Sequence, residues 1–402
     1  MQFKLLQTYR VLSNFSISLI MEFIPFIIFG FALPEFGFAK ALSMMFAYWV
    51  IQCLLSYVFN TLLKKWFFSK PQIFLLLRVI PIIACEICIV FLSTNSWIAI
   101  ILAAIFSALE MSFNTVPIEV IYNYVSVGQD EKVLGVTRFL DQMGWFIAGI
   151  VGGFCLDNIA QWIIITFSLT LFVIGAIPLF VFYFKFRKDP TFNKDYVSYA
   201  VASEDQSEKV KKLKKSFIFK HFITSFLTGP AVSGFYYMVS ALLYFQTGSF
   251  FITGLITSTY DGLYGLGCLV TGKLLTKFDG KNLTTIAGVY LTASMLTIYF
   301  VPILPVRIVA FLLGSFIQPA LDLHLYQTYL DKARILGCGN AILVDQCRAN
   351  SLSYATIYAF GIFGWLPIII ASTAMAFTGA FVARKTEEST TVDLVDYLNN
   401  NE

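Results

Sequence analysis

The chain has 402 residues, 58% of them hydrophobic and only 13% charged, with 42 phenylalanines and a formal net charge of +4. A soluble domain averages nearer a quarter charged. No water-soluble fold of this length hides so much apolar side chain, so lipid must be the solvent for much of the surface.

Lys4 and Arg10 precede an apolar run that continues past Pro25 to about Pro34. The run is of spanning length and no small-residue cleavage site follows it, so it is expected to stay as a first helix. Runs of spanning length fall at about 14–34, 41–62, 72–92, 98–122, 133–156 and 160–184. A second set falls at about 219–246, 250–272, 283–302, 306–329, 338–360 and 367–384, the last two divided at Gly364-Trp365-Leu366-Pro367. The expected fold is an all-α membrane protein of about 12 transmembrane helices in two six-helix bundles. The bundles are expected over 1–185 and 218–385, joined by a charged cytoplasmic linker over 186–217 and followed by a polar, disordered cytoplasmic tail over 386–402.

Loops on the N-terminal side carry 23 of the 28 lysines and arginines, the opposite loops only Lys40 and Arg307, and three (Arg78, Arg138, Arg348) lie within spans. Positive charge marks the cytoplasmic side, so both termini are expected there. The basic stretch Lys209-Val210-Lys211-Lys212-Leu213-Lys214-Lys215 reads as a solvated linker that touches anionic lipid, not as a nucleic-acid site.

The seven cysteines sit mostly inside apolar runs. Cys85 and Cys88 flank Glu86, but no second Cys or His cluster completes a metal site, so buried free thiols are expected. No Gly-rich phosphate loop with Lys-Ser or Lys-Thr appears, which excludes ATP as the driver, and neither HExxH nor GxSxG is present. No cofactor, metal or enzymatic activity is expected.

The two halves echo one another. Thr61-Leu62-Leu63-Lys64-Lys65-Trp66 follows the second run, and Lys273-Leu274-Leu275-Thr276-Lys277-Phe278 follows the eighth. Ser112-Phe113, Pro117, Glu119 and Tyr122 in the fourth run answer Ser315-Phe316, Pro319, Asp322 and Tyr326 in the tenth. Leu140-Asp141-Gln142 answers Val344-Asp345-Gln346. Parallel six-helix repeats joined by a basic loop are the layout of the major facilitator superfamily. The segment from Gly272-Lys273 to Gly280-Lys281 resembles that family's loop motif between its second and third, and eighth and ninth, spans. The motif's Asp is missing from both copies, Asn60 stands for the opening Gly of the first, and the family's Arg in span 4 is absent.

Span 5 resembles the antiporter branch of the family. Its motif spaces glycines as Gly135, Gly144, Gly149, Gly152 and Gly153 do here, with its Pro replaced. Small residues at this spacing let a helix approach a neighbour closely. Glu119, Gly135, Arg138, Gly144, Trp145 and Gly280-Lys281-Asn282 instead resemble lactose-permease-type sugar and nucleoside symporters, in which such an acid, Arg and Trp recognise sugar. The acid, His and Arg set of their second half is only loosely echoed by Asp322 and His324.

Eight acids lie within spans: Glu22, Glu86, Glu110, Glu119, Asp141, Asp261, Asp322 and Asp345. A charge at the bilayer centre costs about 2.5–3.5 kcal/mol on insertion scales, so such residues face a cavity or a partner. Acids outnumber the three arginines, so some are expected to carry a proton for part of a cycle. At 100° per residue, Glu110 and Glu119 point opposite ways and are not expected to line one pathway. Asp345 and Arg348, one turn apart, are expected to neutralise each other. Glu22, isolated before Pro25, is the expected proton-coupling acid, with Asp261 in the second half. Glu119, Arg138, Trp145, Asp322 and Tyr236 are expected to form the substrate cavity and gates. The resemblance implies a monomeric secondary transporter of a bacterial inner membrane, with a small-molecule substrate, protons and membrane lipid as partners. A proton-coupled exporter of a drug, antibiotic, peptide-like product or siderophore is expected first, and a nutrient symporter second.

Overall fold

A computed structural model describes residues 2–91, 97–125, 131–186, 208–230, 235–275, 277–278 and 280–399. Its helices are α1 (Gln2–Ser18), α2 (Ile24–Phe36), α3 (Phe38–Leu62), α4 (Lys64–Ser69), α5 (Pro71–Leu77), α6 (Val79–Phe91), α7 (Trp97–Val125), α8 (Glu131–Asn158), α9 (Gln161–Gly175) and α10 (Ile177–Phe186). The second half holds α11 (Glu208–Gly229), α12 (Phe235–Thr247), α13 (Phe250–Leu274), α14 (Gly280–Phe300), α15 (Leu304–Ile317), α16 (Pro319–Ile335), α17 (Gly339–Ile362) and α18 (Trp365–Asn399). Among the described residues, eight helical segments are long and apolar enough to cross a membrane, and the bent pair Lys4–Ser18 and Met21–Phe36 makes a ninth. Helices α11, α12, α13 and α17 stand where the other expected runs lie; α17 carries Gln346, Asn350 and Tyr354 to the cavity between the halves.

Proline sets the breaks. Pro25, Pro81, Pro178 and Pro319 each sit in the first turn after an interruption. A proline there has no N–H to give and its ring crowds the carbonyl four residues back, so a spanning run becomes two helices. The first break bends the chain by 42°. A single 3-10 turn, Met21–Phe23, fills it and carries Glu22.

Helices α1–α10 pack among themselves, as do α11–α18, and the two groups meet along two seams, α8 against α13 and α3 against α17. The first seam is made by small residues. A Cβ on Gly135 would stand 2.8 Å from the Cys268 carbonyl oxygen, and one on Gly149 or Gly153 would collide with Ser258 or with the Phe250 backbone. Glycines of α13 answer them: Gly262 lies under Phe146, and Gly265 under Phe139 and Gln142. Gly144 and Gly152 face the other way, against the α1 backbone at Val11 and the following Leu19. The antiporter-like pattern thus sorts into two stripes, one per neighbour, and lets α8 sit wedged between the first span and the opposite bundle.

The second seam is aromatic at the end away from the termini. Trp49 stacks on Tyr358 at 4.9 Å, and Phe46 packs on Trp365 at 5.7 Å. Phe26, Phe29, Tyr244, Phe245 and Phe250 continue the cluster across both halves. These rings form a plug.

Two expectations fail here. The tail over 386–402 is not disordered where it is described, since α18 runs on to Asn399. Its polar groups have buried partners. Glu387 pairs with His324 at 3.1 Å, and Lys332 Nζ donates to the Glu387 carbonyl at 3.1 Å, Thr390 at 3.2 Å and Thr391 at 2.8 Å. The linker expected over 186–217 is shorter, because α11 already begins at Glu208 and takes Lys209–Lys215 into helix. Residues 187–207 lie outside the described residues.

Candidate functional site

A cavity of about 390 Å³ opens between the two bundles on the terminal side of the plug. The Trp49–Tyr358 stack closes one end. Glu22, Gln52, Ser107, Asn114, Gln346, Asn350 and Tyr354 supply polar walls, and Glu119, Arg138, Trp145, Asp322 and Tyr326 line the part toward the termini. Four lining residues are acids (Glu22, Glu110, Glu119, Asp322) and two are arginines (Arg78, Arg138).

Glu22 reaches the wall because the 3-10 turn swings it off the α1 axis. Its Oε2 accepts from the Tyr236 hydroxyl at 3.3 Å, and no cation pairs with it among the described residues. Tyr236 also faces Asp261. One phenol therefore stands between a carboxyl of the first span and a carboxyl of the opposite bundle. Asp261 Oδ2 is buried without a partner.

Neither Asp261, expected as a coupling acid, nor Tyr236, expected in the cavity or its gates, lines the cavity. Asp261 is 8% exposed, because the glycine-rich face of α13 sinks into the seam with α8 and takes the carboxyl behind Glu22. The pair forms a second layer rather than a surface.

Glu119 is the centre of a charge network. It lies 3.4 Å from Arg138 and 3.7 Å from Arg10, and accepts from Tyr326 of the opposite bundle at 2.6 Å. Arg10 also pairs with Asp141 at 3.0 Å, and Gln7 donates to Asp141 at 3.0 Å. Arg138 lies over the Tyr326 ring at 5.3 Å, and Asp322 accepts from Tyr264 at 2.6 Å. Arg10 was expected in a loop. In the structure it sits on α1, 14% exposed, and its charge belongs to this network.

Glu110 pairs with Arg78, whose Nε stands 2.5 Å from Oε1, and both line the same cavity as Glu119. The expectation that Glu110 and Glu119 could not share one pathway fails. The 100° count assumes a narrow channel beside the helix, whereas the cavity is broad enough to be lined by residues from both faces of α7, which runs unbroken past Pro117.

Other expected groups take structural places. Asp345 and Arg348 pair at 2.6 Å, and Arg348 also donates to the Tyr57 hydroxyl at 2.9 Å, a cross-bundle contact absent from the sequence reading. Glu86 is fully buried and accepts from Ser168 at 3.1 Å. Gly272 and Lys273 close α13, while Gly280 and Lys281 open α14, and the missing Cβ of Gly280 leaves room for the His324 ring. Tyr244 belongs to the plug. The side chains of Tyr122, Phe235 and Tyr237 lie outside the described residues.

A family model for the Major Facilitator Superfamily matches residues 10–343. No curated protein matches the chain in sequence. Among solved structures, a bacterial homologue of the iron transporter ferroportin in its outward-facing state matches with a TM-score of 0.67 at 11% identity, covering 96% of this chain and 100% of that one. A D-xylose–proton symporter matches with a TM-score of 0.66 at 13% identity, covering 94% of this chain and 95% of that one. The human organic anion transporter matches with a TM-score of 0.63 at 12% identity, over 94% of this chain and 98% of that one. At such identities the likeness is one of fold.

Proposed function

The chain belongs to the major facilitator superfamily, as a multi-pass membrane transporter rather than an enzyme, and from that membership we propose that it is a proton-coupled exporter of a small organic molecule. In this reading it is a monomer with twelve spans in a bacterial inner membrane, both termini cytoplasmic, and works by rocking its two bundles about the central cavity. The substrate class stays at a drug, antibiotic, peptide-like product or siderophore. The similar folds belong to proteins as different as a homologue of an iron transporter, a xylose symporter and an organic anion transporter, so likeness does not select among substrates.

The observation that carries the proposal is Glu22. It is a cavity-lining carboxyl with no cationic partner among the described residues, held at a bend in the first span by a phenol of the opposite bundle that also faces Asp261. Because a proton and a cationic substrate compete for one carboxylate, binding either displaces the other, which is the exchange an antiporter needs. Tyr236 gives a proton on Glu22 a neighbour in the opposite bundle, so movement of the bundles makes or breaks that bond. The glycine stripes of α8 support the exporter direction by resemblance to the antiporter motif.

Glu22→Gln keeps the shape and removes the exchangeable proton. Transport against a gradient is expected to stop while downhill exchange continues; active transport at full rate would overturn the role. The second reading, a nutrient symporter, rests on Glu119, Arg138 and Trp145 lying in one cavity wall. Trp145→Phe separates the two, because it is costly where Trp145 stacks on a sugar and tolerated in a broad exporter cavity.

A further inference from the structure

We infer that the C-terminal bundle holds a second ligand site, apart from the central cavity, that takes a phospholipid with an anionic headgroup. One acyl tail enters an apolar cavity between α12, α14, α15 and α18, and the phosphate rests on Arg307. The inference needs only the membrane setting and not the exporter reading.

The cavity holds about 180 Å³, and its inner wall includes Val239, Met295 and Ile298, at most 2% exposed. An apolar cavity of about 150 Å³ stays dry and takes up small apolar ligands, because water inside would lack hydrogen-bond partners. An alkyl tail is the apolar molecule that a membrane supplies.

The mouth differs from the wall. Tyr299, Arg307 and Trp365 stand there, each half-buried. Arg307 Nε donates to the Val301 carbonyl at 2.6 Å, which holds the guanidinium in place and leaves its two terminal nitrogens to point elsewhere. No carboxylate pairs with it among the described residues. A planar guanidinium with free donors is suited to a phosphate, and Tyr and Trp are the rings that gather at headgroup depth. Arg307, in the first turn of α15, and Lys40, in the first turn of α3, are the two cations that the sequence puts at that end. Trp365 also packs on Phe46 and Phe245 of the plug, at 5.7 and 5.5 Å. A seated lipid therefore touches the plug and stabilises the state in which that end is closed.

The test uses delipidated full-length protein and dihexanoyl phosphatidylglycerol below its micellar concentration, read by tryptophan fluorescence and by thermal stability. Saturable binding is expected. Arg307→Gln should weaken it by about tenfold, the loss of one charge-assisted contact. Leu242→Trp, which fills the cavity and leaves Arg307 intact, should abolish it. Two probes need no variant: glycerophosphoglycerol, the headgroup without tails, and hexyl glucoside, a tail with a neutral head, should each bind far more weakly. Binding of the lipid to both variants as to the native protein, or binding of either fragment as tight as the whole lipid, would overturn the proposal.

Discussion

Removing the Asp157 side chain should open the end of the molecule away from the termini. Asp157 closes α8, and its carboxylate reaches across the first seam to the start of α13. There it accepts from Ser249 Oγ at 2.7 Å, the Phe250 N–H at 3.1 Å and the Phe251 N–H at 2.9 Å. Ser249 in turn caps α13 by accepting from the Ile252 N–H at 3.2 Å. The first N–H groups of a helix have no partner within it, so one bundle is here capping a helix of the other. A cap of this kind is worth about 1 kcal/mol. A negative charge at a helix N-terminus adds about 0.3–1 kcal/mol at an exposed site in low salt. These contacts exist only while the bundles meet at that end, so Asp157→Ala should destabilise this state alone by about 1–2 kcal/mol, a shift of roughly 5- to 30-fold in the equilibrium between states. Spin labels at the exposed positions Trp162 and Ile303, one on each bundle, read the separation directly. The longer distance should gain population by that factor, less in high salt, with Asp157→Asn intermediate. An unchanged distance distribution would refute the cross-bundle cap.

Glu119→Ala leaves Arg138 without its carboxylate and Tyr326 without its acceptor, while Arg10 keeps Asp141. Breaking a buried pair from one side costs about 3–5 kcal/mol, and the surviving partner of Arg10 puts this case at the lower end. Thermal unfolding should show a lower midpoint, and Glu119→Gln, which still accepts from Tyr326, should lose less; an unchanged midpoint would contradict the network. Ending the chain after Lys385 removes the partners of Lys332 and His324. An orphaned buried polar group costs about 1–3 kcal/mol, so the truncated protein should unfold earlier and Lys332→Met should restore part of the loss. Equal stability with and without the tail would show that its helix is not docked.

Much of this architecture is legible in sequence because lipid writes a coarse signal. Apolar runs, prolines and glycine spacings locate the helices, their breaks and the small-residue stripes of α8. Glu22 was legible for the same reason, as one carboxyl alone in an apolar run. What failed was whatever depends on partners far along the chain. His324 and Glu387 are 63 residues apart, and the polar composition of the tail looks the same whether its groups meet water or each other. Arg10 counted as a loop cation because its helix starts earlier than its apolar run. Glu110 and Glu119 were separated by a helical count that says nothing of how wide the cavity beside the helix is. Tyr236 and Asp261 were found as residues but misplaced by one layer, since periodicity identifies a polar face without saying how deeply a seam buries it. The plug was not legible at all: an aromatic ring that seals a cavity and one that lines it have the same spacing.

The central claim is outward, proton-driven transport, and the most direct measurement compares small molecules inside and outside cells with and without the protein, first with the proton gradient intact and then with it collapsed. A compound that leaves the cell only in the presence of both protein and gradient is the predicted result, and it also identifies the substrate. A compound concentrated inward by the protein would contradict the exporter and make Glu119, Arg138 and Trp145 the recognition site of a symporter.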